Sequence, residues 1–330
     1  MTIEEKGASV STATAVPPPT TPAPLSATRR IYYSIRVRRV EFLPVMLAIY
    51  AIPSLLAVDD PSRLVSVHFA LVIVMALSIM HFIDMTNAYA DRDVDAVYKT
   101  WLSQAVYGLG LRNMRIQIAI TGAGVLALAT YLAFRTGHWD LLPLVAFTLW
   151  IGAQYSIKPV HLKSSGVWQI PGLAAVLIWL PQLIVVRSIP GEMSWLLLAV
   201  IVGFGLNQVG IVMVNTAEDW PEDAAYGIRT CVRALGLSRA MAVASGLIAV
   251  AGTTVCVSII AIGGFTWGAI PMIAAIAFAL LHVSGTWRGV RGKDLQEGLA
   301  FLRPRAKLVP LQVASTGWGT VIAAAFAAAN

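Results

Sequence analysis

Nine apolar stretches constrain this chain more than any other feature. They cover roughly residues 40–58, 64–90, 114–134, 140–157, 167–186, 193–216, 239–263, 267–285 and 307–328. A helix needs about 20 residues, at about 1.5 Å each, to cross the hydrocarbon core of a bilayer, and most of the stretches are that long. The expected architecture is an all-α, multi-pass membrane bundle of about nine transmembrane helices. Composition agrees: 57% of the 330 residues are hydrophobic, 12% are charged, and the mean hydropathy is +0.72. A soluble helical protein would need far more polar surface. The net charge of +7 does not indicate nucleic acid, because the basic residues are scattered between apolar spans with no basic–aromatic surface. Cys231 and Cys256 stand in no metal-binding spacing.

The first 27 residues differ from the rest. Pro17, Pro18, Pro19, Pro22 and Pro24 lie among Ser, Thr and Ala, a composition expected of a disordered tail. No apolar run follows the start, so the segment does not read as a signal peptide. Residues 28–330 are expected to form a single membrane-embedded catalytic domain. With the N-terminus in the cytoplasm, only Arg63, Arg135 and Arg187 of the 24 Lys and Arg residues fall outside. That asymmetry is the positive-inside rule, and it places the C-terminus outside.

Two polar clusters repeat one pattern. The second stretch ends in HFIDMTNAYADRDVDAVYK, with Asn87, Asp91 and Asp95 four apart. The sixth ends in VNTAEDWPEDAAYGIRT, with Asn215, Asp219 and Asp223 four apart. Spacing of four puts side chains on one helix face. Both stretches run from outside to inside, so both clusters arrive at the cytoplasmic end and can face each other. Pro221 predicts that the sixth helix bends or ends within its motif.

Carboxylates held together repel unless a cation neutralises them. Hard oxygen donors suit Mg²⁺, which takes one or two carboxylates together with phosphate oxygens. The clusters therefore read as a magnesium–diphosphate site. A diphosphate also needs cationic partners. Lys163 and Arg229 are the first candidates and Lys158 and Lys99 the next, all on the cytoplasmic side. Asp84, one turn deeper, and Asn207, two turns before Asn215, are candidate cavity residues, and His81 reads as a packing histidine. One of Arg36, Arg38 and Arg39 can also reach the site.

Together these residues resemble the UbiA superfamily of intramembrane prenyltransferases. NAYADRDVDAVYK is similar to that family's first aspartate-rich motif. DWPEDAAYGIRT resembles the second, with Gly227 and Thr230 matching its G-x-x-T tail. YSIKPVHLK resembles the Y-S-x-P-P-x-x-L-K segment of the chlorophyll and homogentisate branches. The resemblance implies a Mg²⁺-dependent reaction in which an isoprenyl diphosphate loses diphosphate and a small lipophilic acceptor, aromatic in the first instance, captures the allylic cation. It implies Mg²⁺ ligation by Asn87, Asp91, Asp95, Asp219 and Asp223, phosphate binding by Lys163 and Arg229, and a pocket role for Tyr155. The chain departs from the pattern at Ala88, where Asp is usual, and in YKTWLSQAVYGLG, where the usual Asn, Pro and Ser-Gly are missing. A membrane terpene cyclase of the same superfamily is therefore a second reading, with Trp150, Tyr155, Trp168 and Trp179 as candidate cation-stabilising aromatics. A transporter is a third, more distant one.

Overall fold

The computed structural model describes residues 26–329, and the tail expected over residues 1–27 lies almost wholly outside them. Hydrocarbon offers no hydrogen-bond partner to a backbone N–H or C=O, so a spanning chain must satisfy these groups internally. The described residues accordingly form helices throughout: α1 Ala27–Val37, α2 Leu43–Ala57, α3 Val67–Tyr98, α4 Thr100–Leu109, α5 Leu111–Thr136, α6 Leu141–Ser156, α7 Gln169–Ala174, α8 Leu180–Ser188, α9 Trp195–Glu218, α10 Trp220–Ala225, α11 Cys231–Leu235, α12 Leu237–Gly263, α13 Ala269–Val290, α14 Leu295–Ala306 and α15 Val309–Ala328. A π turn over Ala175–Trp179 joins α7 to α8, so that Gly166–Ser188 forms one apolar span.

Among the described residues eight helices are long and apolar enough to cross a membrane; the ninth stretch is α6, a shorter apolar helix of 16 residues. Caps set where the two motif-bearing helices start. Ser66 accepts from the Phe69 N–H at the head of α3, and Ser194 from the Leu197 N–H at the head of α9. The helix α15 packs on α2, so the last span closes against the first. Polar side chains tie spans together inside the bundle. The Tyr50 hydroxyl donates to the Ala76 carbonyl, Gln182 donates to the Ile49 carbonyl, and the Gln208 amide donates to the Thr316 hydroxyl at 2.9 Å.

The most extensive helix contact is α9 against α12, and glycines line it. A Cβ on Gly203 would lie 3.0 Å from the Ala251 carbonyl oxygen, and one on Gly210 2.9 Å from that of Ala244. This close approach holds α9 in place above its acidic end. We expect Gly210→Val to destabilise the bundle by about 1–3 kcal/mol, the usual scale for overpacking. Thermal unfolding in detergent reads the loss. Gly246→Val is the control, since a Cβ there meets nothing within 4 Å; equal melting temperatures for the two variants would refute the packing argument.

Candidate functional site

The two motifs lie on α3 and at the end of α9, and they differ in backbone. The helix α3 runs unbroken through Asn87, Asp91 and Asp95 to Tyr98. In contrast, α9 ends at Glu218, Asp219 caps it, and Pro221 sits in the first turn of the short α10 that carries Asp223. Proline has no N–H to continue the helical ladder, and the break expected from the sequence falls there. The spacing of four survives it, because the Asp223 N–H bonds to the Asp219 carbonyl at 2.9 Å.

Basic side chains bridge the motifs. The Lys163 ammonium donates to Asp91 Oδ2 at 2.7 Å, and Lys99 lies 3.7 Å from Asp219 Oδ2. Lys99 follows the first motif and pairs with the second, so the two acidic ends meet. The Tyr226 hydroxyl, beyond the second motif, also donates to the Asp93 carbonyl of the first at 3.4 Å. Burial works against the charge on Lys163, but the Asp91 carboxylate and its hydrogen bond outweigh that and hold the ammonium above its ordinary pKa. The Asn87 amide uses its N–H groups on Ser156 Oγ at 2.8 Å and on Asp91 Oδ2 at 3.0 Å, which leaves its carbonyl oxygen as the free donor atom. Asn215 is half-buried one turn inward of Asp219.

The carboxylates are enclosed. Asp91 is 9% exposed, Asp95 5% and Asp223 4%. Asp95 makes no side-chain hydrogen bond or ion pair among the described residues. An ionised carboxylate enclosed without a partner is costly, and a bound cation relieves that cost. Among the described residues no three His, Cys, Asp or Glu side chains converge as one ready-made metal cage. The donor set nevertheless fits Mg²⁺, which needs only one or two carboxylates when substrate phosphate and water complete its shell.

Other predicted residues divide. Lys158 and Arg229 are exposed, and neither side chain touches a carboxylate. Arg229 acts instead through its backbone: its N–H bonds to Ser164 Oγ at 2.9 Å and its carbonyl accepts from the Gly166 N–H, which ties the Lys163 loop to the second motif. The Tyr155 hydroxyl accepts from the Gln169 amide, whose oxygen accepts from the Cys231 N–H. Asp84 keeps a buried Oδ2 with no hydrogen-bond partner. Asn207 is buried, and its Oδ1 makes no hydrogen bond among the described residues. Its Oδ1 lies 3.3 Å from where Gly252 would carry a Cβ, so it packs between α9 and α12. Gln208, 4% exposed and with an unpartnered Oε1, lies seven residues before Asn215 and therefore nearer its face. His81 Nδ1 donates to the Arg38 carbonyl at 2.9 Å, as a packing histidine does.

Of the three N-terminal arginines, Arg39 is the one whose charge bears on Asp84 and Asp95. Arg36 stacks over Tyr32 and Trp101, and Arg38 donates to Gln117. Arg39 holds a left-handed backbone, with φ of 50°, at the turn that leads into α2. No spacing rule flags such a residue. Ser156 and Glu222 stand outside the residues that the sequence singled out. Ser156 lies in the quoted YSIKPVHLK segment, and Glu222 lies beside Asp223. The divergent YKTWLSQAVYGLG segment is mostly the helix α4, packed on α3 and α1, and its Tyr107 hydroxyl donates to Asp93.

Acidity at α10 has a measurable consequence. Burial pushes Asp223 up to about 6, with Lys163 working against the rise and Asp219 adding to it. Burial and then Asp219 push Glu222 up to about 7. A raised carboxyl pKa means that the metal-free site keeps its proton below that pH, and the proton competes with a cation. Mg²⁺ affinity should therefore fall as pH drops through about 6, by roughly tenfold at pH 5 for one competing proton. Calorimetric titration of Mg²⁺ at several pH values checks this; a pH-independent affinity would remove Asp223 from the metal set.

Comparison with known proteins follows the same lines. The UbiA prenyltransferase family profile matches residues 42–309. No curated protein matches the chain in sequence. Among solved structures, a UbiA homolog from Archaeoglobus fulgidus bound to DMAPP and Mg²⁺ superposes with a TM-score of 0.62 at 18% identity, covering 88% of this chain and 99% of that one. A digeranylgeranylglyceryl phosphate synthase gives 0.62 at 13% identity, covering 90% and 99%. A UbiA homolog from Aeropyrum pernix K1 gives 0.51 at 18% identity, covering 83% and 98%. The shared fold, the apolar spans and the extent of the profile match make this chain an integral, multi-pass membrane protein that belongs to the UbiA prenyltransferase family.

Proposed function

We propose that the chain is a Mg²⁺-dependent intramembrane prenyltransferase that ionises an isoprenyl diphosphate and transfers the prenyl group to a small lipophilic, aromatic acceptor. The observation that carries this reading is the meeting of two acidic motifs through Lys163 on Asp91 and Lys99 on Asp219. The A. fulgidus homolog bound to DMAPP and Mg²⁺ supports it, and that homolog's structure with Cd²⁺ supports a divalent-metal site in general. Residues 28–330 would form the one catalytic domain. The charge asymmetry of the loops supports a cytoplasmic active site and N-terminus and an outer C-terminus.

Asn87, Asp91 and Asp95 on one side, and Asn215, Asp219 and Asp223 on the other, would hold the metal. Mg²⁺ bound there supplies charge stabilisation for a departing diphosphate. Lys163 and Lys99 sit on the carboxylates that the metal would neutralise, so each ammonium is free to turn to phosphate oxygens once it does. Arg229 and Lys158, exposed at the same end, and Arg39, whose charge bears on Asp95, would add positive charge around the leaving group. The C1–O bond of the substrate breaks and its electron pair leaves with diphosphate. The acceptor supplies the pair for the new bond and gives up a proton. Tyr155 and Asp84 would line the pocket.

Cyclisation is the second reading, favoured by the departure of the α4 segment from the transferase pattern. The aromatic residues weigh against it. Trp150 and Trp168 are 52% and 71% exposed, and Trp179 donates to the Val202 carbonyl of α9. Only Tyr155 of the four stays beside the acidic motifs. A transporter fits less well, since the carboxylates lie at one end of α3 and α9 rather than at mid-span.

The deciding experiment incubates membranes with C10, C15 and C20 diphosphates and Mg²⁺, with and without a phenolic acceptor. Product that forms only with the acceptor supports transfer; a cyclic hydrocarbon without it would replace transfer by cyclisation. Asp91→Ala and Asp219→Ala should each reduce turnover roughly 10²-fold or more, the scale for losing stabilisation of developing charge. Near-normal turnover by either would overturn the metal assignment. Lys163→Ala should raise KM for the diphosphate while the protein still inserts and folds; an unchanged KM removes Lys163 from the phosphate site.

A further inference from the structure

The end of the bundle away from the acidic motifs carries a polar cavity. Its volume is about 560 Å³, and its walls come from the connections α2–α3, α5–α6 and α8–α9. Arg63, Arg135, Asp59, Glu192, His68 and His138 line it. From His68 to Asp91 along α3 is about 35 Å, so the cavity is remote from the candidate site.

Its charges are unusual for this chain. The three basic residues that the charge asymmetry leaves on this side are Arg63, Arg135 and Arg187. Two of them line the cavity. The third, Arg187, makes a bidentate pair with Asp140, with both contacts at 2.8 Å. Its carbonyl, with that of Ser188, fixes the two imidazoles: His138 Nδ1 lies 2.8 Å from the Arg187 oxygen and His68 Nε2 2.7 Å from the Ser188 oxygen. A carbonyl only accepts, so each of those nitrogens carries a hydrogen and each ring keeps its other nitrogen free. Arg63, Arg135, Asp59 and Glu192 form no ion pair among the described residues. Two guanidinium groups and two carboxylates therefore surround one space without neutralising each other at contact distance.

A simple anion would leave the carboxylates unmatched, and a simple cation would leave the arginines unmatched. Metal ligation is not offered either, since no three suitable side chains converge among the described residues. A zwitterion matches both signs. Guanidinium favours phosphate, with two parallel hydrogen bonds. Carboxylates favour an ammonium that has N–H groups to donate. A quaternary ammonium has none and is held instead by aromatic faces, of which the cavity has only the two imidazoles. Trp139 and Trp195, 56% and 85% exposed, lie beside the cavity residues in sequence and mark the membrane–water boundary.

We propose that this cavity binds a zwitterion that joins a phosphate ester to a primary amine, the chemistry of a phosphoethanolamine headgroup. The source can be a phospholipid of that leaflet or a soluble phosphoethanolamine. The test uses the full-length protein and does not read turnover. Native mass spectrometry with equimolar phosphatidylethanolamine, phosphatidylcholine and phosphatidylglycerol should show one ethanolamine lipid retained in several-fold preference. Arg63→Gln/Arg135→Gln should abolish that preference. Asp59→Asn/Glu192→Gln should turn it toward phosphatidylglycerol, because only the phosphate partners remain. Thermal unfolding in phosphatidylcholine nanodiscs separates the sources. Stabilisation by added soluble phosphoethanolamine equal to that by the lipid assigns the soluble molecule; stabilisation by the lipid alone assigns the headgroup. Equal retention of the three lipids together with no stabilisation by either source would overturn the proposal, as would both double variants keeping the wild-type preference.

Discussion

An ionised carboxylate is costly to leave unpaired beside hydrocarbon, and the arrangement of this bundle follows from that constraint. Asp91 meets Lys163 at 2.7 Å and Asp219 meets Lys99 at 3.7 Å. Asp95 is left enclosed without a partner, facing the charges of Lys99, Lys163 and Arg39. The positive groups come from a connecting loop, from the end of a helix and from the turn before the first span. Those segments must all reach the same end of the molecule. The acidic motifs thus organise the loops at their own end of the bundle.

Backbone detail gives the two motifs different freedom. The first sits on a continuous helix whose other faces pack against α4, α5 and α6. The second straddles the break at Pro221, and a short helix carries its last aspartate. Behind the break, α9 is pressed onto α12 by Gly203 and Gly210. One helix therefore sets the geometry of the first motif, and the join of two helices sets that of the second. The backbone of Arg229, bonded to Ser164 and Gly166, ties the segment after that break to the loop that carries Lys163.

The opposite end obeys the same electrostatics with another outcome. There the charges of both signs stay apart around a cavity, while Arg187 and Asp140 pair beside it. One end holds clustered acids with cations drawn onto them, and the other presents matched but separated charges. The two ends therefore suit ligands of different kinds.

Much of this was legible in the sequence. The apolar stretches, the loop charges and the repeated spacing of four are local properties, and the helical period converts them directly into spans and faces. The break at Pro221 was legible too, because a missing N–H acts where it stands. Rotation and loop path were not legible. Lys158, Lys163 and Arg229 carry the same charge near the same motif, yet only Lys163 is turned onto Asp91. Asn207 and Gln208 are neighbours, yet Asn207 packs toward Gly252 of α12 while Gln208 bonds to Thr316 of α15. The choice of Arg39 among three arginines depends on one left-handed turn. Sequence alone determined which groups the membrane forces to one end. Tertiary structure decided which of them touch, because contact depends on how each helix is rotated against its neighbours.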